Sequence, residues 1–149
     1  MQYRKFGSLD WEVSVLGFGA MRLPQLQDGS HQIDEPLATE MIRTAIDAGV
    51  NYVDTAWPYH HEQGERFVGK VFKEGYREKV RLATKMPSWL IKEEADFDRF
   101  LEEQLRRLDA NKIDFYLLHA LNERHWKNYQ KLDVFSWAEK RMAEGLIDH

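Results

Sequence analysis

The sequence predicts an α/β fold in which parallel strands alternate with helices behind a short N-terminal β-hairpin. Three observations predict it. Short apolar runs alternate with stretches whose apolar residues recur at three- and four-residue spacing. The polar residues that close successive runs, Asp54, Lys85 and His119, stand 31 and 34 residues apart, the length of one strand–helix unit with its connections. The runs are continuously apolar, which suits a parallel sheet covered by helices.

The elements follow in order. "QYRKF" and "WEVSV" flank Gly7 to Asp10 and read as the hairpin. "VLGFG" (Val15 to Gly19) reads as a first buried strand, with glycines where backbone must come close to something. Gln25 to Pro36 is polar and punctuated by Gly, Ser and Pro, a surface loop. Leu37, Met41, Ala45 and Ala48 stripe a first helix, widened by Ile42 and Ile46, and Gly49 stands where a C-terminal cap belongs. "NYVDT" is the second strand. Phe67, Val68, Val71 and Phe72 stripe a second helix that ends by Gly75, and Val80 to Lys85 is the third strand. Phe97, Leu101, Leu105 and Leu108 stripe a third helix, and Ile113 to His119 is the fourth strand. Val134, Ala138 and Met142, with Phe135 alongside, stripe a fourth helix closed by Gly145. "EKRMAEG" reads as its solvated face, and "GLIDH" as the lead-in to a fifth strand that is itself missing.

Composition narrows the function classes. At 149 residues, 43% hydrophobic and 31% charged, residues 1–149 read as one domain with a real core. A net charge of -4 with both signs interspersed offers no basic stripe for nucleic acid and no polybasic segment for a membrane surface. With no cysteine, disulfides, thiolate nucleophiles and cysteine-ligated metals are excluded within the chain. The polar start "MQYRKFGSLD" has no apolar leader core, so a cytoplasmic protein is the default reading.

The polar strand ends carry the chemistry. A carboxylate that closes a buried strand is costly unless a partner waits for it. In a parallel array every strand delivers its C-terminal end to one face. The ends at Asp54 and Lys85 should therefore lie roughly 5–10 Å apart, given an interstrand spacing near 4.8 Å. Tyr59 follows Asp54 in the same connection, and His119 closes the next strand. Each has an ordinary reading alone: a turn aspartate, a solvated lysine, a half-buried tyrosine, a core histidine. Together on one rim they read as a site for proton transfer to a carbonyl oxygen. A free phenol has a pKa of about 10, and an adjacent ammonium stabilises the phenolate. An aspartate beside that ammonium holds it charged and oriented. Trp57 and Trp89, near strand ends, read as substrate-pocket walls. "HHEQGE" (His60 to Glu65) lacks the spacing that puts two histidines on one helical face, so it reads as a polar loop and no metal site is assigned.

"AGVNYVDTAWPYH", "RLATK" and "IDFYLLH" resemble the aldo-keto reductase family, as do "SVLGFGAMRLP" and "FLEEQLRRLDANKIDFYLLH". The resemblance implies the N-terminal half of a (β/α)8 TIM barrel and NADPH-dependent reduction of aldehydes or ketones, with NADH as the alternative cofactor. It implies Tyr59 as general acid, Lys85 and Asp54 as its tuning pair, and His119 orienting the substrate carbonyl. Gly19, Ala20, Met21 and Asp54 would lie near the nicotinamide. "GYREKVRLATKMPSW" and "LLHALN" are most similar to the bacterial branch that carries a C-terminal ferredoxin-like domain, which would add an iron–sulfur cluster beyond this chain. Gly64 stands where many relatives have Ser, a change expected to matter little. A full barrel needs about 250 residues, so four βα units imply a weakly active or inactive fragment. It would be completed by its own later units or by self-association with a second chain. Two rival functions stand beside the reductase. One is a non-catalytic binding or regulatory subunit that retains the fold. The other is a lyase using Lys85 as a Schiff base, which a neighbouring Asp54 argues against.

Overall fold

A computed structural model describes all 149 residues. The hairpin pairs β1 (Tyr3–Lys5) with β2 (Glu12–Ser14) in antiparallel register, Arg4 opposite Val13. The remaining strands are β3 (Phe18–Gly19), β4 (Tyr52–Asp54), β5 (Arg81–Met86) and β6 (Phe115–Leu118). They form one parallel sheet in chain order. Helix α1 (Glu35–Asp47) follows β3, α2 (Gly64–Val71) follows β4, and α3 (Ala95–Leu108) follows β5. Two helices follow β6, α4 (Glu123–Lys131) and α5 (Val134–Ala143).

Local chemistry explains the boundaries. Asp34 caps α1 by accepting from the Leu37 N–H at 3.2 Å, with Pro36 in the first turn. At the other end Gly49 takes a φ of 99°, and Val50 N–H reaches back to the Ala45 carbonyl. That is a Schellman closure, which needs a residue at ease in the left-handed region. Gly69 has a different reason. A Cβ built there would meet the Leu108 carbonyl oxygen at 2.7 Å, so a bare glycine lets α2 lie directly against α3.

The core lies between sheet and helices. Side chains alternate along a strand, so Val53, Leu82, Thr84 and Met86 face the helices and are fully buried. Ile42, Ile46, Phe67, Val68 and Leu82 belong to one buried cluster, and Met86, Phe97, Leu101, Ile113 and Trp137 to a second. The opposite face carries Tyr52, Asp54, Ala83, Lys85, Phe115 and Leu117. The hairpin closes its lower end, where Phe6 and Trp11 pack on Phe115 at 5.2 and 6.0 Å between ring centroids.

Four details differ from the sequence reading. The first strand is two residues long, and Val15 and Leu16 are 54% and 62% exposed. Val15 N–H is taken by the Gln2 carbonyl, so it extends the hairpin instead of entering the sheet. On α1 the inward row is Ala38, Ile42 and Ile46, while Leu37 and Met41 point outward. The single helix expected after β6 is two, and α5 is rotated so that Val134 and Trp137 are buried while Phe135 and Met142 are exposed. Asp98 of α3 sets that rotation by accepting from Trp137 Nε1 and Arg141. Arg141 is therefore a strut, not part of a solvated face. Finally, the fifth strand has begun: Ile147 pairs in parallel with Ile113, and Tyr116 N–H donates to the His149 carbonyl at 2.8 Å.

Candidate active site

Register brings the rim together. Asp54 lies opposite Ala83, and Lys85 lies two residues further along β5 on the same face. Its side chain is 12% exposed and reaches back across the strand ends. The Lys85 ammonium donates three hydrogen bonds: to Asp54 Oδ1 at 2.7 Å, to the Thr55 carbonyl at 2.8 Å and to the Tyr59 hydroxyl at 3.0 Å. An ammonium has three protons and no acceptor, so its capacity is filled by three different groups. The same nitrogen lies 4.8 Å from the centre of the Tyr59 ring.

His119 completes the group. It is one residue past the end of β6, where its N–H donates to the Met86 carbonyl at 3.0 Å. Ser88 Oγ donates to the His119 carbonyl, and the Tyr129 hydroxyl donates to Ser88 at 2.8 Å. The imidazole meets Tyr59 edge to face, with ring centroids 6.0 Å apart, and Trp89 at 5.2 Å. Asp54, Tyr59, Lys85 and His119 thus converge, and Trp89, 42% exposed, stands beside His119.

The other expected residues fall differently. Gly19 is exposed, with open space where a Cβ would be, and the Met21 side chain is 57% exposed. Ala20 is fully buried in the core, so only its backbone belongs to the rim. Trp57 is turned away from the rim into the core. Its ring packs on Phe100 at 4.8 Å and under the Arg107 guanidinium at 3.5 Å. Both partners are on α3, so Trp57 is a packing residue and not a pocket wall.

Behind Lys85 lies a buried polar network that the sequence reading missed. Glu65 is fully buried and accepts from Thr84 Oγ1 at 2.7 Å and Gln104 Nε2 at 2.5 Å. Gln104 Nε2 also reaches the Lys85 carbonyl at 3.1 Å, and its Oε1 accepts from the Tyr116 hydroxyl at 2.6 Å. Arg107 approaches Glu65 at 3.4 Å and pairs with Glu62 at 2.8 Å. Burial pushes the Glu65 carboxyl up, an effect the Thr84 and Gln104 hydrogen bonds oppose.

The connection that carries Tyr59 is also unusual. His60, His61 and Glu62 have φ values of 51°, 54° and 66°, a left-handed run that costs about 1–2 kcal/mol per non-glycine residue. Arg107 offsets part of that cost by anchoring Glu62. Gly64 N–H closes the turn on the Tyr59 carbonyl at 3.0 Å, and a Cβ on Gly64 would stand 3.0 Å from Tyr59 Cβ. A side chain at position 64 would therefore press on the tyrosine, which makes this glycine more consequential than its sequence context implied.

Both imidazoles near the rim are held below the ordinary histidine pKa. Burial is the main cause for each, joined at His119 by the Lys85 charge. A histidine with a depressed folded pKa binds fewer protons folded than unfolded, so stability rises with pH across that window. The two rings should therefore destabilise the fold as pH falls from about 7 toward 5. Glu65 acts in the opposite sense, because protonation relieves its buried charge. Comparison with a His60→Gln/His119→Gln chain isolates the imidazoles. Thermal melts should show the wild type losing more stability than this variant on acidification, and parallel pH profiles would contradict the neutral rings.

Comparison with known proteins agrees with this fold. The profile described as "Aldo/keto reductase family" matches residues 15–149. The chain belongs to the aldo/keto reductase family. It is 35% identical over 127 residues to the aldo-keto reductase YhdN of Bacillus subtilis, an alignment covering 80% of this chain and 38% of that protein. It is 33% identical over 126 residues to a probable aldo-keto reductase of Glycine max, covering 79% of this chain and 36% of that one. The chain thus spans well under half the length of these curated relatives. The holo structure of aldo-keto reductase AKR11C1 from Bacillus halodurans superimposes with a TM-score of 0.79 at 30% identity, covering 100% of this chain and 49% of that one. An aldo-keto reductase from Klebsiella pneumoniae in complex with NADPH gives a TM-score of 0.73 at 28% identity, covering 93% of this chain and 44% of that one. The fold is accordingly the N-terminal part of an aldo-keto reductase TIM barrel. No helix is long and apolar enough to cross a membrane.

Proposed function

We propose that the protein reduces an aldehyde or ketone to an alcohol at the expense of NADPH, with Tyr59 as the general acid. The observation that carries this reading is the Lys85 ammonium held at once by Asp54, the Thr55 carbonyl and the Tyr59 hydroxyl. In this reading the Tyr59 hydroxyl donates its proton to the substrate oxygen, and the Lys85 hydrogen bond stabilises the phenolate left behind. Asp54 and the Thr55 carbonyl keep the ammonium aimed at that oxygen. His119, whose charge burial disfavours, orients the carbonyl by hydrogen bonding. Trp89 bounds the substrate side.

The residues present fit a nicotinamide. Gly19 offers bare backbone beside open space, with exposed Met21 next to it and the half-buried Asp54 at the end of the adjoining strand. These residues and the Ala20 backbone would hold the ring. When bound, the reduced nicotinamide supplies two electrons and a hydrogen to the carbonyl carbon. The complex of the Klebsiella pneumoniae relative with NADPH supports that choice over NADH. The lyase reading loses ground because every Lys85 proton is engaged, leaving a charged nitrogen with no free pair for attack.

In this proposal residues 1–149 act as one partial barrel domain in the cytoplasm. The outer edge of β3, the first strand of the sheet, is covered by later βα units or a second chain. The 149 residues alone would bind NADPH weakly. Assignment to the iron–sulfur branch rests on the "GYREKVRLATKMPSW" and "LLHALN" segments, and the cluster would need a further domain because this chain has no cysteine. The deciding experiment offers aldehydes and ketones to the protein, with any downstream sequence its gene encodes, together with NADPH deuterated at the nicotinamide C4. Deuterium on the alcohol carbon is the expected result. Tight NADPH binding with no transfer to any substrate would favour the non-catalytic subunit.

A further inference from the structure

His60, the residue after the proton donor, joins it to the segment that follows β3. Its Nε2 lies 3.2 Å from the Leu23 N–H and 3.2 Å from the Ala20 carbonyl. A neutral imidazole nitrogen either accepts or donates, so it takes the Leu23 N–H or serves the Ala20 oxygen, one at a time. Either bond ties the Gly19–Leu23 segment to residue 60. The other ring nitrogen, Nδ1, is buried without a partner, so the ring is held by Nε2 alone. Burial lowers the pKa of this ring, while the Ala20 hydrogen bond opposes that shift.

The backbone makes the tie rigid. His60 adopts a φ of 51°, the turn that directs its ring toward the β3 connection. The next backbone hydrogen bonds, Gln63 N–H to the His60 carbonyl and Gly64 N–H to the Tyr59 carbonyl, lock the two residues together at 3.0 Å each. One peptide unit therefore separates the imidazole contact from the backbone that carries the phenol.

We propose that His60 is a positioning residue that couples the Gly19–Leu23 rim to Tyr59, so that the cofactor-facing edge and the proton donor move as one body. The functional meaning of this coupling rests on the reductase reading, but the coupling itself is a property of this chain. A ring that shifts with the rim carries the acid with it, and their spacing stays fixed.

The test uses the protein, with any downstream sequence its gene encodes, carrying 15N-labelled histidine and 13Cζ-labelled tyrosine. His60→Gly adopts the left-handed φ without strain and removes the ring. His60→Gln supplies one acceptor and one donor on a side chain of similar reach. At neutral pH the wild-type His60 ring should show one bare and one protonated nitrogen. His60→Gly should move the Tyr59 13Cζ resonance without lowering the melting temperature, and should speed amide exchange at Leu23 about tenfold where the wild-type Nε2 is the bare nitrogen. His60→Gln should restore both signals. The proposal is overturned if the Tyr59 resonance stays in place in His60→Gly, even with faster exchange at Leu23, because His60 would then brace the rim alone. It is equally overturned if His60→Gln behaves like His60→Gly. Neither readout involves turnover, so failure of the deuterium-transfer experiment would leave this result standing, and the reverse also holds.

Discussion

Tyr59→Phe is expected to lower carbonyl reduction by about 10²–10⁴-fold, the range supplied by a positioned general acid, while NADPH affinity stays close to wild type. The substitution removes one oxygen and little else. Phenylalanine keeps the edge-on contact with His119 and the ring beneath the Lys85 ammonium. Lys85 loses one of three acceptors and retains Asp54 and the Thr55 carbonyl. The fold should therefore lose only about 1 kcal/mol, the worth of a single hydrogen bond. Steady-state kinetics in the protein with any downstream sequence its gene encodes, paired with nucleotide titration, separate the two effects. Unchanged turnover would refute the acid assignment, and loss of nucleotide affinity would show that the phenol serves binding instead.

Gln104→Leu should produce the largest loss of stability. The amide is fully buried and serves four groups: Glu65, Thr84, the Lys85 carbonyl and the Tyr116 hydroxyl. Leucine matches its bulk and satisfies none of them. The buried Glu65 carboxylate then relies on Thr84 and a 3.4 Å approach by Arg107. Leaving buried polar groups without partners costs about 1–3 kcal/mol each, more for a charged one. A total near 3 kcal/mol is expected, a fall in melting temperature of roughly 6–12 °C for a chain of this size. Thr84→Val, which withdraws one donor, should cost about 1 kcal/mol. If Gln104→Leu were the milder of the two, the network would not be organised around the amide.

The strands and the rim were legible because their signals are local. Asp54, Lys85 and His119 each close an apolar run, and a parallel array can only deliver such residues to one side. The polar support behind them went unread, although it left a local trace. Gln104 falls in the inward row Phe97–Leu101–Gln104–Leu108 of α3, and a polar residue in an apolar stripe signals a buried partner. Nothing local identifies that partner as Glu65, 39 positions away. Helix α4 left a weak trace because Tyr129 is its only buried residue, and its Asn122 cap was the usable sign. The faces of α1 and α5 were misjudged because Leu37, Met41, Phe135 and Met142 are apolar yet exposed. Periodicity reports which residues are apolar, whereas packing neighbours decide which row turns inward. Trp57 was misplaced for the same reason: its direction depends on Arg107, 50 positions along the chain.

The β4–β5 ladder carries a consequence for how this sequence can change. Asp54 pairs with Ala83, and Lys85 shares the face of Ala83 because it stands two residues on. A single insertion or deletion between those two positions would swing the ammonium to the helix side, against Gln104, and bring a neutral neighbour to the rim. The sheet would survive such a slip and the proton donor would lose its ammonium. Point substitutions in this segment are filtered by packing, but length changes are filtered by parity.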